Sequence, residues 1–326
     1  MKDTQIKTFQ DAAGKIDYTL MNDYMFHAVM QSNENVLKGL VCALLRLNPD
    51  EVHSATILNP IEFGEKICDK EYILDIKVLL NNEAVINIEL QVRSQDFWND
   101  RSLVYLCRIF DNLEKGSDYF DVISTYHIGI LDFTLFPDHP EFYAINKMMN
   151  IQKKYIYNDK FTLNVLDLNQ IELATDEDKR WKLDYWARLF KARTWEDLKM
   201  LAQKDNVFME TCETIYQKNQ DDMTRKWCEA HEEAERVAQT YRRQYERDLA
   251  QKDAIIEEQE NVIAEKENAL AEQESVIAEK ENVIVEKENV IVEKENALAE
   301  QERLLADKEA EIARLRLALA EAGRQR

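Results

Sequence analysis

Asp75, Glu89 and Gln91 are the residues of this chain whose types and spacing are best suited to chemistry. Segments 72–80 (YILDIKVLL) and 84–92 (AVINIELQV) are rich in aliphatic and β-branched residues, the composition of strands. Asn81, Asn82 and Glu83 lie between them, and Asn tolerates the left-handed backbone of a tight turn, so the spacing predicts a hairpin. Strand side chains alternate faces. Val85, Asn87, Glu89 and Gln91 therefore share one face of the second strand, and Ile86, Ile88, Leu90 and Val92 the other, wholly apolar face. On the first strand Ile73, Asp75, Lys77 and Leu79 lie opposite Tyr72, Leu74, Ile76 and Val78. A three-residue turn pairs Leu80 with Ala84, which sets Asp75 opposite Glu89 and Lys77 opposite Asn87. Like charges directly opposed destabilise a sheet, and a bound cation is the natural compensation. Carboxylates are the ligands that a hard ion such as Mg²⁺ prefers. A two-residue turn would instead pair Leu80 with Glu83 and bury Asp75 opposite Ile88, on the apolar face. The alternation thus predicts an odd-length turn or a bulge.

Helices and further strands must hold this hairpin. Residues 22–47 carry apolar side chains at helical spacing, with Asn22 as N-cap, Asp23 in the first turn and Asn48-Pro49 as terminator. Asp23 is either a further acidic contributor to the cleft or simply a helix-start residue. Residues 55–63 read as a strand before the hairpin, 96–115 as a helix after it, and 121–131 as a fourth strand, with 141–151 and 160–168 as further strands. Arg101, Tyr105 and Arg108 share a face of the second helix, placed either to touch phosphates or to serve as an ordinary solvated or packing face. The order helix, three strands, helix, strand implies an α/β layer fold.

Asp75 followed by Glu89-Leu90-Gln91 resembles the core of the PD-(D/E)xK nucleases, with Gln in place of the Lys. Asn22-Asp23-Tyr24-Met25-Phe26, Ile73-Leu74-Asp75-Ile76-Lys77, Asn87-Ile88-Glu89-Leu90-Gln91 and Arg101-Ser102-Leu103-Val104-Tyr105 together resemble the recombination-promoting nucleases, a transposase-related family, over roughly residues 18–175. Leu74 stands where the motif has Pro, and His27 where the family often has Lys. The resemblance implies a restriction-endonuclease-like core and Mg²⁺-dependent endonucleolytic hydrolysis of DNA, in recombination, mobile-element or defence roles. Asp75 and Glu89 would hold the metal and Gln91 would orient a water. Gln has no titratable proton in this range and cannot serve as a general base. The alternatives are a nuclease-fold protein with weak or lost catalysis that binds DNA or protein, and a helical scaffold.

The remainder of the sequence reads as a nuclease-like domain over 1–175, a helical region over 176–250 and a charged helical heptad repeat over 251–326. Seven blocks of seven residues fill 257–305, from EEQENVI to AEQERLL. The period is that of a coiled coil and leaves self-association through this helix open. Only half of any seam is apolar, however, because the positions facing the aliphatic ones are Lys, Gln, Asn or Ser. The net charge is -21, of which residues 251–326, with 11 basic and 20 acidic residues, carry -9 and the rest -12. An acidic globular part excludes a broad basic DNA-binding surface, so any nucleic-acid site is local or metal-assisted. Five cysteines without a CxxC exclude a disulfide framework and a zinc site. With no apolar leader and no apolar run long enough to cross a membrane, the sequence reads as cytoplasmic.

Overall fold

A computed structural model describes residues 8–60, 75–111, 113 and 116–323. It is a mixed α/β structure whose elements run α1 (Asp23–Ser32), α2 (Glu34–Leu45), β1 (Ala55–Ile57), β2 (Ile76–Leu80), β3 (Ala84–Gln91), α3 (Trp98–Phe110), β4 (Ser124–Leu131), β5 (Tyr143–Met149), β6 (Ile156–Asp167), α4 (Asp176–Arg180), α5 (Leu183–Lys191), α6 (Trp195–Ala202), α7 (Asn206–Gln220) and α8 (Asp222–Gly323). The strands form one sheet in the order β1-β2-β3-β4-β6-β5. Neighbours pair antiparallel except β3 with β4 and β4 with β6, which are parallel.

The β2–β3 hairpin takes the three-residue alternative. Leu80 pairs with Ala84, Lys77 with Asn87 and Ile76 with Ile88. Asn81 and Asn82 both adopt left-handed backbone (φ 52° and 58°), and Glu83 N–H closes the turn on Leu80 C=O at 2.9 Å. The Asn81 side chain locks the turn from outside, accepting from His53 and Ser54 N–H and donating to Glu51 C=O.

Two sequence expectations are corrected. Residues 22–47 are not one helix: Asn33 is extended (φ -141°) and its side chain accepts from the Asn35 and Val36 N–H groups, so it caps a new helix instead of continuing α1. Among the described residues of the strand expected over 55–63, only Ala55–Ile57 is strand. Beyond it the Asn59 side chain replaces the ladder, donating to Asp75 C=O at 2.6 Å and accepting from Lys77 N–H at 2.8 Å. Residues 61–63 of that expected strand and 72–74 of the next lie outside the described residues.

The two faces of the sheet differ. Ile76, Val78, Ile86, Ile88, Ile128 and Ile130 point into the main core, which they share with α1, α2, α5, α6 and α7. The opposite face is covered by α3, where Trp98 packs on Leu131 and Val165. That approach requires Gly129, because a Cβ there would lie 2.3 Å from the Trp98 ring.

By internal contacts the chain divides into Met1–Ala238 and Gln239–Arg326. The first unit contains the start of α8, where Trp227 stacks on Tyr24 at 5.3 Å. In the second unit every side chain described from 240 to 318 is exposed. No helix among the described residues is long and apolar enough to cross a membrane.

Candidate active site

The side of β3 that faces α3 carries Asn87, Glu89 and Gln91. The hairpin register, extended by one residue, sets Asp75 opposite Glu89. Glu89 is 1% exposed, and both of its carboxylate oxygens lack a hydrogen-bond partner. Arg101 Nη2 lies 2.9 Å from Glu89 Oε1, an ion pair without hydrogen-bond geometry. The compensation is incomplete. Burial pushes the Glu89 carboxyl up to about 7, the negative charge of Asp75 adds to the rise, Arg101 opposes it and Asp23 adds a further push. Asp75 is also raised, by burial first, against the Asn87 hydrogen bond and Arg101, with Asp23 again raising it.

Parallel pairing of β3 and β4 sets Asn87 beside His127 and Glu89 beside Gly129. Asn87 Nδ2 is 3.3 Å from Asp75 Oδ2 and 3.2 Å from His127 Nδ1. His127 Nε2 is 3.5 Å from Glu89 Oε2. The ring is fully buried and its basicity is depressed to about 4, by burial and then by Arg101. Four side chains, Asp75, Asn87, His127 and Glu89, therefore form one polar row across three strands, with Arg101 above it.

The remaining sequence candidates fall around this row. The N-cap of α1 is Asn22, which accepts from Tyr24 and Met25 N–H. Asp23 is free of that duty, and its charge reaches both Asp75 and Glu89. Its Oδ2 lies 3.6 Å from His231 Nε2 on α8, and that contact raises the basicity of His231 against the effect of burial. Gln91 is half-buried at the end of β3 and donates from Nε2 to Arg93 C=O at 3.0 Å. Arg93 in turn pairs with Glu235 of α8 at 2.9 Å. Tyr105 lies between Arg101 and Arg108, which sit 5.2 and 5.9 Å from its ring centre, and meets His127 edge-on at 6.1 Å.

Residues 20–246 match the family model of PD-(D/E)XK nuclease family transposases. The chain belongs to this family. Membership brings a nuclease-like function. No curated protein and no solved structure matches the chain significantly. The matched region includes α4 to α7 and the start of α8, so His231 and Glu235 lie within it.

PD-(D/E)XK nucleases usually use divalent metal ions. Among the described residues no group of three or more His, Cys, Asp or Glu side chains converges as a metal cluster. The Asp75–Glu89 pair still fits such an ion. Two carboxylates suffice for Mg²⁺, which keeps several waters and borrows phosphate oxygens from its substrate. Among the described residues neither buried Glu89 oxygen has a hydrogen-bond partner, and only Oε1 has the Arg101 guanidinium within ion-pair distance, so a cation would satisfy what Arg101 leaves unmet.

The hairpin register expected from the sequence is the one observed, whereas His127 and His231, which lie beside the candidate residues, were not singled out. His127 lies in β4 just before the apolar run from Ile128 to Leu131, and its place beside Asn87 depends on a parallel pairing that no local pattern encodes.

Proposed function

We propose that the chain is a metal-dependent DNA endonuclease that hydrolyses phosphodiester bonds in recombination, mobile-element or defence settings. The observation that supports this most is the Asp75–Glu89 pair, in which a half-buried and a fully buried carboxylate face each other while Glu89 is held near 7. Burial of like charges is costly for folding, and such perturbed groups mark sites of chemistry. Asp75 and Glu89 would hold Mg²⁺ or a similar divalent cation. When bound, such an ion lowers the pKa of a coordinated water and offsets phosphate charge. Gln91 spends its amide N–H on Arg93 C=O, which leaves Oε1 as an acceptor that can align a water O–H. Arg101 supplies a guanidinium at the mouth of the site, about one-third exposed, for a scissile phosphate. Asp23 adds negative charge that favours a cation at the row. Tyr105 stiffens the Arg101 side chain.

The test is nicking of supercoiled plasmid by the full-length chain, with Mg²⁺ and with EDTA. Asp75→Ala and Glu89→Ala should abolish metal-dependent nicking while the circular dichroism stays that of the parent. Gln91→Ala should be impaired less than either. Equal nicking by the parent and both acidic variants would refute the assignment.

A further inference from the structure

Asn87 Nδ2 approaches two acceptor positions at once, Asp75 Oδ2 at 3.3 Å and His127 Nδ1 at 3.2 Å. An amide nitrogen has two N–H groups and accepts nothing. Turning the amide over would set its oxygen against the Asp75 carboxylate, acceptor to acceptor. Nδ1 of His127 must therefore be the acceptor, and the ring proton sits on Nε2. That nitrogen is the one within 3.5 Å of Glu89 Oε2. The ring plane is fixed by Tyr105, edge-on at 6.1 Å, and by Trp98 at 6.3 Å.

We propose that His127 is a positioning residue that, as its Nε2–H tautomer, links Asn87 to Glu89 and sets the direction of the Glu89 carboxylate. The contacts run from Asp75 through Asn87 and His127 to Glu89; the last of them, at 3.5 Å, is an electrostatic approach without hydrogen-bond geometry, and it orients the Glu89 carboxylate in addition to the strands. His127 touches no reacting atom. It acts by orienting Glu89 toward Asp75, the two residues that would hold a divalent cation, and in this it rests on the metal-dependent reading above. Partners that orient metal-binding side chains typically contribute 10- to 100-fold in metal affinity or activity.

The experiment uses the full-length chain and Mn²⁺ alone, titrated by calorimetry without DNA, beside a nitrogen-15 spectrum of the histidine rings. His127→Leu fills the space without donor or acceptor and should weaken Mn²⁺ binding about 10- to 100-fold. His127→Gln can accept from Asn87 and donate to Glu89, and should recover most of that loss at an unchanged melting temperature. In the parent, the His127 signal, assigned by its disappearance in His127→Gln, should show Nε2 protonated and Nδ1 bare. Parent-like Mn²⁺ affinity in a folded His127→Leu chain would overturn the proposal, as would equal impairment of the Leu and Gln variants or a proton on Nδ1. If His127→Leu does not fold, the Gln variant and the tautomer decide. If the parent takes up no Mn²⁺, the nuclease reading fails, and the tautomer alone then supports or overturns the link.

Discussion

Replacing Glu89 by Gln keeps the shape of the side chain and removes its charge. In the folded chain the Glu89 carboxyl is held at about 7 against an ordinary value of 4.5. Below about pH 4.5 folded and unfolded chains both carry the protonated acid, and the stability associated with this group is fully present. As pH rises from there to about 7, the unfolded chain ionises first, and stability is lost progressively. Above that the loss levels off at roughly 3 kcal/mol, from 1.36 kcal/mol for each pH unit between the two values. Glu89→Gln escapes this loss. With EDTA present, it should match the parent near pH 4 to 5 and exceed it above about pH 8, where the gain corresponds to a melting temperature higher by about 6–12 °C for a unit of this size. Mn²⁺ should narrow the gap by stabilising the parent and not the variant. Melting curves at both pH values, with and without Mn²⁺, measure all four states. A Gln variant less stable than the parent at high pH in EDTA would refute the view that this carboxylate is held against its solvation preference.

Gly129→Ala should cost about 1–3 kcal/mol in urea unfolding, as overpacked cores do, because the new methyl meets the Trp98 ring at 2.3 Å. It should also reduce nicking by displacing α3 and with it Arg101. Asn81→Ala should cost about 1–2 kcal/mol, from lost hydrogen bonds worth roughly 0.5–1.5 kcal/mol each to Glu51, His53 and Ser54 and because Ala tolerates the left-handed backbone less well than Asn. An unchanged urea midpoint would contradict the role of this turn in setting the register. A chain ending at residue 250 should remain folded with its urea midpoint intact, since Met1–Ala238 is a compact unit in its own right; precipitation or a lower midpoint would count against it.

The local parts of the site were legible. Period-two alternation and an Asn-Asn pair determine which face Asp75 and Glu89 share, because a slip of one residue would have buried Asp75 among isoleucines. The break at Asn33 was written in a residue that caps as readily as it continues a helix, and apolar spacing alone hid it. The short β1 was hidden because Asn59 does with its side chain what a strand does with its backbone. His231 and Glu235 reach the site from beyond residue 220, and only packing of the start of α8 brings them to Asp23 and Arg93.

The connections among β2, β3 and β4 also carry a temporal consequence. β2 and β3 are joined by three residues, whereas β3 reaches β4 only after a crossover that includes α3. Closing the short loop costs little chain entropy, and the long crossover costs more and must wait for α3 to dock. Asp75 and Glu89 thus meet early, while water still screens them, and their desolvation falls at the later step, when His127 and Arg101 arrive together. Mutual repulsion of the carboxylates therefore weighs little on nucleation and heavily on the final consolidation. Neutralising either one should show up mainly as slower unfolding of the finished domain, not as faster initial pairing of the strands.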